Sequence, residues 1–432
     1  MQERRIFHAD FNCFYASVAC CQQPELKAYP VAVAGDPEQR HGIILAKNEH
    51  AKRFGVKTGE AIWQAKQKCP KLVLVKPDYP AYLDFSRRGR QIYEEYSDRV
   101  EGFGLDENWI DVSGATADFR EAEVLAQSLR SRIREELGIT VSIGVAGNKV
   151  FAKLGSDLRK PDAVSLVSPE NYRQTAWPLP ARDLLYVGRA TETKLRKYGI
   201  LTIGDIARTP PAFLKAQLGK MGVMLHAFAN GMDVSPVMFS YAENPVKSIG
   251  NGVTTPRDLV NEEDVYLTVM MLSESVASRL RENGMRARTV SIAIRDTGLY
   301  TFSRQVRLEK PSDITDEIIR AAMGLFRANY LWTAPVRALT VTAMDLIGSD
   351  TPTQLSLFSD ETHRLKAEAL DRAVDGIRSR FGYGSIGRAL YLKDEAIGNM
   401  HPMEDHLVHP VGYLAGEKML DVVETDEHKT RR

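Results

Sequence analysis

Three carboxylates stand out because apolar sequence surrounds them. Asp10 ends the strand-like segment 6–11, and Asp106 and Glu107 lie within a second strand-like segment, 105–112. A carboxylate in an apolar strand is costly unless it is paired or bound to a metal. If the three converge, a divalent cation is the simplest way to hold them together. The alternative is that they are salt-bridged acids at the surface.

Carboxylates that bridge two Mg²⁺ ions suit an in-line displacement at phosphorus. One ion lowers the pKa of an attacking hydroxyl, and the other stabilises the leaving phosphates. Neighbouring residues of a regular strand point to opposite faces of a sheet, so Asp106 and Glu107 cannot both face one site from within a strand. The sequence therefore predicts a bend or a strand start at this point, which Gly104 would permit.

The elements that must position these acids alternate between strand and helix over about the first 165 residues. This pattern predicts an α+β or α/β region. A mainly helical stretch follows at 169–232, and a polar connector at 240–244 leads to a third unit with the order β, α, β, β, α, β. One further helix is predicted at 362–380.

Length and composition limit the class of protein. A chain of 432 residues is too long for one core and suggests about two to four domains. No segment approaches the roughly 20 apolar residues of a membrane span, and the charged start does not resemble a signal peptide. The four cysteines fit neither a zinc site nor a disulfide framework, so a reduced, cytoplasmic protein is expected.

The net charge of +1 hides a local excess of positive charge. Between Arg40 and Lys76, nine basic residues face two acidic ones. Such a segment could bind phosphates, or it could be a solvated helix face.

Four motifs together resemble those of the Y-family translesion DNA polymerases, in particular the bacterial DNA polymerase IV and V branches. They are residues 10–18, residues 104–112, residues 142–153 followed by Lys160-Pro161, and residues 247–250. Their order and spacing match the family over about residues 1–346.

The resemblance implies an α+β multidomain fold. Its parts would be a ferredoxin-like palm, small fingers, a helical thumb with a helix-hairpin-helix, a linker, an α/β little-finger domain, and a C-terminal extension with a clamp-binding motif and one helix. The expected boundaries are 1–17 and 77–167 for the palm, 18–76 for the fingers, 168–233 for the thumb, 234–244 for the linker, 245–346 for the little finger and 347–432 for the extension.

The resemblance also implies site residues. Asp10, Asp106 and Glu107 would be catalytic and would hold two Mg²⁺ ions, with the backbone carbonyl of Phe11 as a further ligand. The nucleotide would be bound by Tyr15 as the steric gate against a 2′-OH and by Phe14, Lys52 and Lys153. From the residues alone, Tyr15 could equally pack at a helix start, and a lysine on a helix is usually solvated. Lys149 lies one turn before Lys153, so both could reach phosphate.

The chain departs from the family pattern where a Tyr and an Arg usually grip the triphosphate. Glu49 stands at the first position and Lys52 at the second. Lys52 keeps the charge but lacks the two-pronged guanidinium. Ala46 replaces a hydroxyl residue nearby, and Asn12 replaces a common Asp that is not a ligand in the family.

Two regions resemble DNA-binding elements of the family. Residues 185–200 resemble a helix-hairpin-helix, in which Gly188 and Lys194 would contact the DNA backbone. Ala190 replaces the second glycine of that motif, and a plain helical turn is the alternative. Lys247 and Ser248 stand at the entry to the little finger and are further candidates for DNA contact.

A loop near the C-terminus resembles the motif by which bacterial polymerases bind the replicative sliding clamp. The motif residues are Gln354, Leu355, Ser356, Leu357 and Phe358. Exposed Leu and Phe in a polar loop favour a partner, although a strand edge or a core contact is the alternative. The helix that follows has an apolar stripe, Leu365, Leu370, Val374 and Ile377. It is expected to pack in the core, and a surface for an accessory partner is the alternative.

The sequence therefore predicts a template-directed, low-fidelity DNA polymerase that acts in translesion synthesis as a monomer on primer-template DNA and dNTPs. A catalytically weak scaffold bound to the clamp is the main alternative, because the triphosphate grip is altered. A nucleotidyl cyclase could share the palm fold, but the thumb-like and DNA-binding regions argue against it.

Overall fold

Strands and helices alternate through most of the chain. The computed structural model describes residues 3–35, 42–242, 245–352, 361–398 and 400. The strands of these residues are β1 (Ile6–Phe11), β2 (Val31–Ala34), β3 (Ile44–Lys47), β4 (Val73–Val75), β5 (Val100–Gly102), β6 (Glu107–Asp111), β7 (Val141–Ala146), β8 (Val164–Val167), β9 (Ser248–Leu259), β10 (Met285–Asp296), β11 (Thr301–Ser312) and β12 (Val336–Gly348).

The helices connect and cover these strands. They are α1 (Phe14–Gln22), α2 (Glu49–Arg53), α3 (Ile62–Lys68), α4 (Tyr79–Glu94), α5 (Phe119–Leu137), α6 (Lys149–Leu158), α7 (Tyr172–Thr175), α8 (Arg189–Arg196), α9 (Ile203–Arg208), α10 (Pro211–Leu218), α11 (Lys220–Ala229), α12 (Glu262–Glu282), α13 (Thr315–Asn329), α14 (Glu361–Phe381) and α15 (Glu395–Gly398). The described residues divide into two units, 3–35 with 43–242, and 42 with 245–352, 361–398 and 400.

The first unit is built on a five-stranded sheet with the order β5-β6-β1-β7-β8. β1 pairs antiparallel with both β6 and β7, and Asp10 lies opposite Glu107 in this register. Because side chains alternate along a strand, Phe7, Ala9 and Phe11 enter one core, which also contains residues of α5. Asp10 therefore belongs to the opposite face, on which α6 lies.

Helix α6 packs very closely on this sheet. A Cβ atom at Gly144 of β7 would lie 1.9 Å from the carbonyl oxygen of Ala152, so the approach requires glycine at this position. Asn148 caps the helix by accepting a hydrogen bond from the amide of Phe151, with a distance of 2.8 Å. The close packing brings Lys153 next to the carboxylates of β1 and β6.

Two smaller parts complete the first unit. A three-stranded sheet with the order β3-β2-β4 packs with α2 and α3 around Ile44, Ala51 and Ala65. The helices α8 to α11 share a core that includes Leu195, Ile203 and Leu225. The α+β architecture predicted from the sequence is confirmed; the predicted domain boundaries stay predictions.

The second unit is an antiparallel sheet with the order β11-β10-β12-β9. The helices α12 and α13 pack on this sheet and contribute residues such as Met270 and Phe326 to one core. β12 continues to Gly348, slightly beyond the predicted end of the little finger at 346. Within the described residues, no helix is long and apolar enough to cross a membrane.

The prediction that α14 packs through its apolar stripe is wrong. Leu365 and Leu370 are each 64% exposed, and no residue of α14 is fully buried. The helix instead turns charged residues inward, and Arg364 pairs with Glu317 at 2.8 Å. One helix was predicted for the C-terminal extension, but the extension contains the short helix α15 in addition to α14. The sequence periodicity correctly predicted an amphipathic helix. The polar face of α14 packs inward because the surface of α12 and α13 that it meets is charged.

The centre of this contact is the carboxylate of Glu274, on α12, which is only 5% exposed. Arg378 of α14 donates to it at 2.9 Å, and Arg388 donates to its other oxygen at 2.7 Å. A buried carboxylate that loses its partner is strongly destabilising. Residues 361–398 therefore supply the charge that Glu274 requires.

We expect Arg378→Ala to lower the free energy of unfolding by about 3 kcal/mol, because it leaves the buried Glu274 undercompensated. In a Glu274→Leu background the same change should cost much less. Chemical denaturation of the single and double variants measures both values. Arg327→Ala, which removes an exposed ion pair with Glu262, is the control and should cost less than about 1 kcal/mol. Equal losses for Arg378→Ala in both backgrounds would contradict this account.

Candidate active site

The three acids meet at one end of the first-unit sheet. Strand β6 begins at Glu107, and residues 103–106 form a bend in which Gly104 has a φ of +88°. The amide of Phe11 donates to the carbonyl of Asp106 at 3.0 Å and fixes this bend against β1. The bend predicted from the sequence is therefore present, and it frees Asp106 from the strand alternation that constrains Glu107.

Two lysines form ion pairs with the carboxylates. Lys153 on α6 places Nζ 2.7 Å from Oε2 of Glu107 and 3.6 Å from Oδ2 of Asp10. Lys160 places Nζ 2.7 Å from the same oxygen of Asp10. Sequence reasoning included Lys160 in a motif but gave it no role. Lys160 lies seven residues after Lys153, just beyond the end of α6, and this spacing could have indicated that both lysines reach the acids.

The three acids differ in pKa because of burial and of the charges that surround them. Burial, followed by the charges of Asp10 and Glu107, raises the pKa of Asp106 to about 7. Burial also raises the pKa of Asp10. For Glu107 burial acts in the same direction, but the close contact with His8 and the charge of Lys153 outweigh it and lower the pKa to about 2. The carboxyl group of Asp106 is therefore partly protonated near neutral pH.

The donor set suits a hard divalent cation, although the side chains are not arranged around one. The described residues contain no group of three His, Cys, Asp or Glu side chains placed closely enough to hold a metal ion. Lys153 and Lys160 lie against two of the carboxylates instead. Within the described residues Asp106 has no ion pair, and burial, followed by the charges of Asp10 and Glu107, raises its pKa. Carboxylate and carbonyl oxygens are the ligands that Mg²⁺ prefers.

An aromatic cluster lies beside the acids at the start of α1. The ring of Tyr15 stacks on that of Tyr82, with centroids 4.1 Å apart and planes 10° apart. Burial, with smaller contributions from Tyr79 and Asp106, raises the pKa of Tyr15 to about 12. Phe14 is buried in the core, so its predicted nucleotide contact is restricted to its main chain.

Not every predicted phosphate ligand lies at the acids. The ammonium group of Lys149 lies 2.7 Å from both carboxylate oxygens of Glu101, and not at the acids that Lys153 contacts. Its reach to phosphate stays a prediction. Lys52 pairs instead with Glu49, with Nζ 3.3 Å from Oε1. The thiol of Cys13 also donates to this oxygen of Glu49, at 3.4 Å.

The candidate DNA contacts lie at exposed positions. In the first unit, Gly188 precedes α8 and Lys194 lies on that helix. In the second unit, Lys247 precedes the edge strand β9 and Ser248 begins it. The predicted clamp motif lies outside the described residues.

Comparison with known proteins gives the family. The impB/mucB/samB family matches residues 9–157, and the C-terminal domain of that family matches residues 246–357. The DNA polymerase-iota thumb domain matches residues 182–233. DNA polymerase IV of Acetivibrio thermocellus is 51% identical, over 92% of this chain and 100% of its own length. DNA polymerase IV of Pelotomaculum thermopropionicum is 39% identical, over 90% of this chain and 95% of its own.

The chain belongs to the Y family of DNA polymerases. The family predicted from the sequence motifs is thereby confirmed. A solved Y-family DNA polymerase chimera, Dbh-Dpo4(243-245)-Dbh, has the same fold, with a TM-score of 0.72 and 23% identity. It covers 79% of this chain and 99% of its own.

The protonation of Asp106 should make cation binding depend on pH. A cation must displace the proton that Asp106 retains below about pH 7, so affinity should rise as the pH rises through that value. Calorimetric titration with Mn²⁺ in buffers of different ionisation enthalpy should show proton release at pH 6 that shrinks by pH 8. Asp106→Asn should remove this difference, and an equal proton release at both pH values would contradict the assignment.

The same carboxyl should affect the stability of the cation-free protein. Its folded pKa of about 7 lies above the ordinary value of 3.8, so the folded state keeps a proton that the unfolded state has released. Its contribution to stability is therefore fully present below pH 3.8 and is lost as the pH rises through about 7. Thermal unfolding of wild type and Asp106→Asn should diverge over this window, with the variant more stable above it.

Proposed function

We propose that this protein is a template-directed DNA polymerase of low fidelity that acts in translesion synthesis. The reaction would be two-metal transfer of a dNMP to a primer 3′-OH, with release of pyrophosphate. The observation that carries the proposal is the convergence of Asp10, Asp106 and Glu107 with Lys153 and Lys160 at one end of the sheet. Membership of the Y family supports the same reaction.

The acids supply the ligands of this chemistry. Asp10, Asp106, Glu107 and the carbonyl of Phe11 would hold two Mg²⁺ ions. When bound, the ions activate the attacking hydroxyl and stabilise charge on the phosphates. Lys153 and Lys160 now balance much of the carboxylate charge. Each carries its ammonium on a flexible stem that can turn from a carboxylate to a triphosphate oxygen.

The ring of Tyr15 would select the sugar. It is fixed on Tyr82 and close enough to Asp106 for that charge to affect its pKa. A rigid ring beneath the sugar leaves no space for a 2′-OH, so dNTPs would be preferred to ribonucleotides.

The DNA contacts would be made mainly to phosphate. Exposed amides at the start of α8, near Gly188, together with Lys194, suit the backbone of primer-template DNA, and so do Lys247 and Ser248. The sequence of residues 354–358 supports binding of a replicative sliding clamp. A monomer is the expected state.

The scaffold alternative is not favoured. The pairing of Glu49 with Lys52 neutralises one predicted triphosphate contact, which would weaken nucleotide binding. The acid set is nevertheless complete and adjoins two lysines, an arrangement that a scaffold does not require.

Extension of a labelled primer on a DNA template, with Mg²⁺ and dNTPs, tests the proposed function. Wild type should extend the primer, and Asp106→Ala should be slower by about 100-fold or more, because charge stabilisation at the phosphates is lost. The variant should still bind primer-template DNA. Failure of wild type to extend, with DNA binding intact, would overturn the proposal and support the scaffold.

Replacement of Tyr15 by Ala should admit ribonucleotides. The ratio of kcat/KM for a dNTP to that for the matching ribonucleotide should fall by about tenfold or more, while dNTP insertion changes little. Single-nucleotide insertion assays measure both values. Tyr15→Phe keeps the ring and is the control, so loss of sugar selectivity in that variant would contradict the steric role.

Replacement of both Leu357 and Phe358 by Ala should abolish stimulation by a sliding clamp, because the apolar contact is lost. Insertion of a single nucleotide without the clamp should be unaffected. Leu365→Ala with Leu370→Ala removes two exposed leucines of α14 and is the matched control. Clamp stimulation that survives in the first variant would refute the docking assignment.

A further inference from the structure

One polar side chain in contact with the acids has no role in the chemistry above. His8 lies in the middle of β1 and is fully buried. Its Nε2 lies 3.2 Å from Oε2 of Glu107, and its Nδ1 lies 2.9 Å from the hydroxyl of Ser156 on α6. The ring of Trp109 meets it edge-on, with centroids 5.3 Å apart. A polar ring held on three sides in this way has a defined orientation.

The contacts of Glu107 are one-sided. Within the described part of the chain, His8 and Lys153 both approach Oε2 of the carboxylate. His8 approaches from the sheet and Lys153 from α6. If Lys153 turns away toward an anionic ligand, His8 alone remains to hold Oε2.

The hydrogen positions follow from what each partner can accept. An ionised carboxylate only accepts hydrogen bonds, so Nε2 of His8 must carry the proton that faces Glu107. In a neutral ring Nδ1 is then an acceptor. The hydroxyl of Ser156 can supply its hydrogen to Nδ1, or to the carbonyl of Lys153, which lies 2.7 Å away. Glu107 therefore selects the tautomer with its proton on Nε2, and Ser156 holds the Nδ1 side of the ring.

The contact between His8 and Glu107 is close but incomplete. Neither Nε2 nor Oε2 completes a well-aligned hydrogen bond with any described residue. Such contacts in ligand-free sites often tighten when the ligand binds. A buried nitrogen without a partner is costly, which favours closure of this contact when the carboxylate is used.

From this geometry we infer that His8 is a positioning residue, which together with Ser156 fixes the Glu107 carboxylate through Oε2 in the orientation in which it would hold a divalent cation. The inference rests on the proposed function, since it assigns Glu107 as a ligand. Residues that orient a metal ligand commonly change metal affinity by about 10- to 100-fold when they are replaced. A role in packing alone would change stability but not cation affinity.

Binding of Mn²⁺ to the full chain, followed by electron paramagnetic resonance of the free ion, tests this inference without turnover. His8→Phe keeps the approximate ring volume and loses both nitrogens, and Ser156→Ala removes the hydroxyl that contacts Nδ1. Each should raise the Kd for Mn²⁺ by about tenfold. His8→Gln can place an amide donor near the position of Nε2, so it should stay within about threefold of wild type.

Ser142→Ala is the matched control, because it removes a buried hydroxyl that accepts from Asn12 at 2.9 Å and does not touch Glu107. Its Mn²⁺ affinity should equal that of wild type even if its Tm falls. If His8→Phe does not fold, Ser156→Ala and His8→Gln still decide the question. Wild-type affinity in His8→Phe or Ser156→Ala, or an equal loss in Ser142→Ala, would overturn this inference alone. Absence of Mn²⁺ binding by wild type would overturn the proposed function as well.

Discussion

Repulsion among the three carboxylates is the constraint on which the rest of the first unit depends. Asp10, Asp106 and Glu107 are largely withdrawn from water, and like charges in such a place raise one another's pKa. The structure reduces this repulsion in two ways. Lys153 and Lys160 pair with two of the acids, and Asp106 retains a proton up to about pH 7. Both can be reversed, since an ammonium can turn away and a proton can leave. In the proposed function, the cluster would exchange these counter-charges for a cation.

The scaffold around the cluster follows from strand alternation and from one close packing contact. Alternation sends Phe7, Ala9 and Phe11 to the apolar core and leaves Asp10 on the face that meets α6. Gly144 allows α6 to approach the sheet closely enough for Lys153 to reach Glu107. A larger side chain at Gly144 would move the helix, and the lysine with it. The charge balance of the site is thus tied to packing of the sheet.

Much of this arrangement could be predicted from the sequence, because it depends on local rules. The strands of the acids and the bend beside Gly104 follow from apolar segments and from the period of a strand. The features that could not be predicted depend on partners that are distant in sequence. Helical spacing put Lys149 and Lys153 on one face, but Glu101 holds Lys149 away from the acids. The apolar stripe of α14 predicted burial, yet Glu274 draws the opposite, charged face inward. The contacts of His8 could not be predicted until β1, β6 and α6 were placed together.

Crystals of the full chain with primer-template DNA, a non-reactive dNTP and Mn²⁺ would test the exchange of counter-charges most directly. Anomalous scattering locates Mn²⁺ independently of the protein atoms. The account predicts two anomalous peaks bonded to Asp10, Asp106, Glu107 and the carbonyl of Phe11. It also predicts that Lys153 and Lys160 leave the carboxylates for phosphate oxygens. Lysines that remain on the carboxylates, with Mn²⁺ bound elsewhere or absent, would contradict it.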